Sequence, residues 1–68
     1  MEANRTLKIT NLEVEIALLQ VDERRLQSVI HSTLTAPELR TQAQIHLRQT
    51  LEKITAAIDE IARLESER

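Results

Sequence analysis

His31 and His46 are the only histidines of the chain, and no cysteine accompanies them. A protein zinc site needs three or four imidazole, thiolate or carboxylate ligands converging within bonding distance. If the chain folds back on itself near residue 35, His31 lies opposite residue 39 and His46 opposite residue 24. That separation along the fold is too large for a shared ion, so both read as solvated or rim residues and no metal ligand is assigned. Glu23 is the other candidate, because it interrupts an apolar row. A carboxylate held among apolar side chains can acquire a shifted pKa. It has no second carboxylate or nucleophile beside it in the pattern, so its expected role is a polar seam residue that reaches toward Arg48 or sets register. No catalytic residue and no cofactor ligand is assigned, and the expectation is a non-enzyme. Arg24, Arg25, Arg40 and Arg48 gather positive charge in the middle of the chain, whereas Glu13, Glu15, Asp59, Glu60, Glu65 and Glu67 make its two ends acidic. Such a gradient can steer an acidic partner. With nine basic and eleven acidic side chains interleaved, and no aromatic residue to stack on a base, nucleic-acid binding is not the leading expectation.

The elements that must carry these residues follow from composition. The chain has 68 residues, no glycine, no aromatic residue and a single proline, Pro37. Sheets need tight turns that favour glycine, while alanine, leucine, glutamate, glutamine and arginine are good helix formers. The expectation is one all-α domain over residues 1–68, near the lower size limit for a self-sufficient core. No apolar run approaches the roughly 20 residues that cross a bilayer. The N-terminal MEANRTLKIT lacks the apolar core of a signal peptide, so a cytoplasmic location is expected.

The strongest punctuation is TLTAPELR at 33–40. Thr35 and Glu38 have capping-box spacing, with Leu34 and Leu39 at the flanking staple positions. Pro37 suits a first helical turn and pushes Ala36 away from helical geometry. These signals predict an antiparallel two-helix hairpin with helix 1 over about 8–33, a turn at about 33–36 and helix 2 over about 36–66. Thr10 and Glu13 form a second capping box, which leaves residues 1–9 extended, in a separate turn, or continuous with helix 1. LEVEIAL at 12–18 alternates like a half-buried strand. The heptad that contains it continues far past the alternation, so helix is assigned.

Helix 1 carries a seam at Ile9, Leu12, Ile16, Leu19, Glu23, Leu26, Ile30 and Thr33. Helix 2 carries another at Arg40, Gln44, Leu47, Leu51, Ile54, Ile58, Ile61 and Glu65. Folding at the turn opposes Ile9 to Ile61, Leu12 to Ile58, Ile16 to Ile54 and Leu19 to Leu51. Closer to the loop it opposes Glu23 to Leu47, Leu26 to Gln44 and Ile30 to Arg40, so those layers are less apolar. Ala43, Thr50, Ala57, Ala62 and Leu64 broaden the single apolar face of helix 2. Arg48–Glu52 and Asp59–Arg63 have the spacing of helical ion pairs.

Helix 1 has a second stripe at Leu7, Val14, Leu18 and Val21, roughly opposite its seam. A two-helix hairpin covers only one side of helix 1. The stripe is therefore expected to bind another protein, either a different chain or a second copy in a four-helix bundle. A structural or regulatory bundle, including one that binds RNA, is the alternative function.

The layout resembles the small co-chaperones of type III secretion needle subunits. The resemblance rests on a leucine-bearing first helix (LEVEIALLQVDERRLQSVI), a proline-containing turn (TLTAPELR) and an Ala/Ile-rich second helix (ITAAIDEIARL). It implies a helical hairpin that pairs with a tetratricopeptide-like chaperone and holds the needle subunit unpolymerised in the cytoplasm. On that likeness Leu7, Val14, Leu18 and Val21 would be the chaperone-binding face.

Overall fold

The computed structural model describes residues 2–67. It is an all-α antiparallel hairpin: α1 spans Glu2–His31, α2 spans Pro37–Ser66, and a five-residue turn joins them. Each helix has 30 residues, and the hairpin measures 51 × 14 × 11 Å.

α1 begins earlier than the capping signal at Thr10 indicates. Residues 2–9 contain no glycine or proline, and Arg5 and Ile9 are half-buried on the side facing α2. Arg5 Nη2 donates to the Glu67 carbonyl at 3.0 Å, which ties the open end together. A capping box starts a helix only where the preceding chain is not already helical. Here tertiary contact holds the preceding turns in place, so Thr10 lies inside α1. The alternating LEVEIAL segment is helical as well.

The turn differs from the expected one in its chemistry. Ala36, with φ −60° and ψ 144°, is the N-cap of α2, and Pro37 follows in the first turn. Proline excludes helical geometry from the residue before it, which fixes the boundary at Ala36. Thr35 is thereby one position too early to cap, and α2 has no side-chain cap bond. The Leu34–Leu39 staple is absent too: Leu34 is 94% and Leu39 57% exposed. Ser32 and Arg40 organise the reversal instead. Ser32 Oγ accepts from the Leu34 amide at 3.2 Å, and the Thr35 amide donates to the Ser32 carbonyl at 3.4 Å. Arg40 Nη2 donates to the carbonyls of Ser32 at 3.0 Å and Thr35 at 3.3 Å. Among the described residues none has a positive φ, so the reversal is made without a left-handed residue.

On α1 the residues Ile9, Leu12, Ile16, Leu19, Glu23, Leu26 and Ile30 are all half-buried toward α2. On α2 the seam is rotated from the expected one. Ala43, Thr50, Ile54, Ala57 and Leu64 are buried, and Arg40, Leu47 and Ile61 are half-buried. Leu51 and Ile58, assigned to the seam from their hydrophobicity, are 41% and 52% exposed, and Gln44 and Glu65 are exposed as well. The cause is steric. With Ala43, Thr50 and Ala57 at seven-residue intervals facing inward, the backbones approach closely and the large α1 side chains fill the space beside small ones. Turning Leu51 and Ile58 inward would set large against large and force the helices apart, losing close packing.

Thr50 is the one polar residue in the buried part of the seam, 3% exposed, and its hydroxyl donates to the His46 carbonyl one turn back at 2.9 Å. That bond is local and uses a carbonyl already engaged by the helix. Replacing both hydroxyl and bond with a methyl of the same shape leaves no orphan group. Thr50→Val is therefore expected to leave stability unchanged or raise it by up to about 1 kcal/mol. Urea melts followed by circular dichroism measure this, and a loss above about 1 kcal/mol contradicts it.

Candidate functional site

The outer face of α1 is built by the helical period. Leu7, Val14 and Val21 recur every seven residues and Leu18 sits one turn from Val14 and Val21, so all four project to one side. That side lies away from α2, because the seam residues Ile9, Leu12, Ile16 and Leu19 fall between them in sequence and half a turn around the helix. All four stripe residues are between 52% and 64% exposed. The interleaved positions on the same face, Asn4 and Asn11, are exposed and uncharged. From Asn4 to Val21 this face carries no formal charge, and Arg25 closes it toward the loop. It extends about 20 Å between Leu7 and Val21.

A second apolar surface lies on α2 and is absent from the sequence reading. Rotation of the seam leaves Leu51 and Ile58 on the flank of the hairpin rather than between its helices. Leu51 lines an open depression of about 610 Å³ together with Gln44, Leu47, Arg48, Glu52, Thr55, Ala56 and Asp59, and Ile58 is exposed seven residues along the same side of the helix. The signal available in the sequence was the run Ala43, Thr50, Ala57 at seven-residue spacing. Small residues so spaced mark a close helix–helix approach and displace their larger neighbours outward.

The remaining candidates disperse. His31 and His46 are both exposed, and among the described residues no group of three or more His, Cys, Asp or Glu side chains is arranged to hold a metal. Glu23 is half-buried in the seam, and no ion pair with Arg48 is formed among the described residues. The expected Arg48–Glu52 and Asp59–Arg63 pairs are also not made. Arg63 bonds instead to Glu60, through both Nε and Nη2, and to Glu67 at 3.1 Å. The hydrogen bonds from Arg63, reinforced by the charges of Arg63 and Lys8, hold the Glu60 carboxyl below its ordinary pKa. The same Glu60 carboxylate raises Arg63. Both groups stand in solvent at the open end, where such pairs contribute little to stability. No helix among the described residues is long and apolar enough to cross a membrane.

No protein-family model, no curated protein and no solved structure matches this chain. The chemistry of the two stripes therefore stands on its own geometry. Each is an exposed apolar row on a rigid helix, suited to bury against another helix.

Proposed function

We propose that the hairpin is a non-enzymatic protein-interaction module, a small co-chaperone or adaptor. It binds a partner chaperone or a helical client through Leu7, Val14, Leu18 and Val21. The observation that carries this reading is the exposed, charge-free outer face of α1. A row of large aliphatic residues in water is an unfavourable surface that association removes. Amphipathic helices commonly bind by laying such a row into a groove. The layout resemblance to needle-subunit co-chaperones of type III secretion favours a tetratricopeptide-like chaperone as the partner and the cytoplasm as the place.

The test is paired capture. A tagged copy in its native cell is expected to retain one partner in stoichiometric amount, identified by mass spectrometry and then reconstituted from purified chains. The double variant Val14→Glu, Leu18→Glu is expected to weaken that reconstituted complex by about 100-fold or more, since each buried aliphatic side chain contributes about 1.5–3 kcal/mol. Its circular dichroism is expected to stay helical. Undiminished binding by the double variant would remove α1's outer face from the interaction. Loss of helicity would place Val14 and Leu18 in the fold's own core.

A further inference from the structure

The flank of α2 points to a second interaction, independent of the one proposed for α1. We propose that this flank is a self-complementary surface that takes a second copy of the chain, α2 antiparallel to α2 about a two-fold axis. Three observations support it.

The first is area. The chain exposes 5428 Å². A compact monomer of this mass, 7.8 kDa, exposes about 4,400 Å² by the scaling that folded monomers follow. The excess of about 1,000 Å² compares with the roughly 800 Å² per partner that a stable interface removes. No side chain is less than 2% exposed among the described residues, so the hairpin has not exhausted its capacity to bury surface.

The second is symmetry. Isologous dimers need a patch that matches itself after a half-turn. An axis passing beside residues 54 and 55 sets Leu51 of each copy level with Ile58 of the other, and the two exposed aliphatic residues cover each other twice. Thr55, a small residue, lies near the axis where the backbones come closest.

The third is charge. The depression is lined by Arg48 toward the loop and by Glu52 and Asp59 toward the open end. The same half-turn brings Arg48 to within two residue rises, about 3 Å along the axis, of the other copy's Asp59. At larger scale, the loop half of each hairpin is basic relative to its open half, so an antiparallel arrangement places unlike halves side by side. The outer face of α1 stays uncovered on both copies, so the dimer would present two partner-binding stripes.

Sedimentation equilibrium of the full chain at micromolar concentration is expected to show a dimer. Leu51→Glu with Ile58→Glu is expected to raise its dissociation constant by about 100-fold or more, with helicity retained. Val14→Glu with Leu18→Glu is expected to leave it unchanged. Because the chain has no cysteine, disulfide mapping gives a second readout that does not depend on charged variants folding. Leu51→Cys and Ile58→Cys chains, mixed and oxidised, are expected to couple to each other. Neither is expected to couple with itself, since identical positions lie about 10 Å apart along the axis. A monomer throughout the concentration range overturns the proposal. So does a dimer broken only by the α1 variants, or preferential self-coupling of Leu51→Cys.

Discussion

Ala57→Glu is expected to unfold the hairpin or leave it barely folded, whereas Ala62→Glu, the same exchange five positions on, leaves it intact. Ala57 is 6% exposed and faces α1; Ala62 is exposed. A carboxylate at 57 must either be buried without a partner or wedge the helices apart. Either outcome costs about 3–5 kcal/mol. A domain of this size has about 3–10 kcal/mol of total stability, so the loss is comparable to the whole. At 62 the carboxylate stays in water and the cost is expected to fall within about 0.5 kcal/mol, as for surface substitutions generally. Thermal and urea melts of the two variants measure the contrast directly. The seam read from hydrophobicity alone places both alanines at the margin of the apolar face and predicts equal, mild effects. Equal tolerance would thus restore Leu51 and Ile58 to the seam and remove the rotated packing.

Those two alanines also show how far the sequence carried. The hairpin was legible because its signals are backbone chemistry: Pro37 cannot continue a helix from Ala36, and the heptads on either side run in step. The α1 seam was legible from Ile9 to Ile30 because large aliphatic residues mark it, with Glu23 as the break, whereas Thr33, assigned to its end, is exposed in the turn. The α2 seam was misread because hydrophobicity ranks Leu51 and Ile58 above Ala43, Thr50 and Ala57. Packing ranks them the other way, since α1 already supplies bulk and α2 must supply room. Four seam positions, Arg40, Leu47, Ile54 and Ile61, are common to both readings, which is why the topology was unaffected by a partial rotation of the helix. The same rotation created the α2 flank, which no inspection of α2 in isolation separates from its core face. Thr35 was misassigned for a related reason: two start signals overlapped by one residue, and the rigid one prevailed.

The rotated seam and the missing cap together place an unusual demand on Arg40. With no side-chain cap on α2 and no left-handed residue ending α1, the turn relies on the Arg40 guanidinium, whose Nη2 reaches the carbonyls of both Ser32 and Thr35. Ser32 follows directly on the last residue of α1, so the cation also sits at the negative end of that helix dipole. Charge-assisted hydrogen bonds of this kind contribute about 1.5–3 kcal/mol. The arrangement is not cost-free, because Arg40 Nε is buried with no partner. The net loss on Arg40→Ala is therefore expected at about 2 kcal/mol rather than the sum of two full bonds. Arg40→Lys keeps the charge near the α1 terminus but cannot span both carbonyls with a planar fork, and is expected to lose about 1 kcal/mol. Arg40→Met keeps the apolar stem and removes the orphaned Nε along with the bonds, so it is expected to fall between lysine and alanine. Urea midpoints at constant slope give the three values. Amide exchange should show the loss concentrated at residues 28–42, with the open end, tied by Arg5 to Glu67, protected as before. If all three variants melt with the parent, the turn is held by Pro37 and the seam alone, and the guanidinium is a bystander.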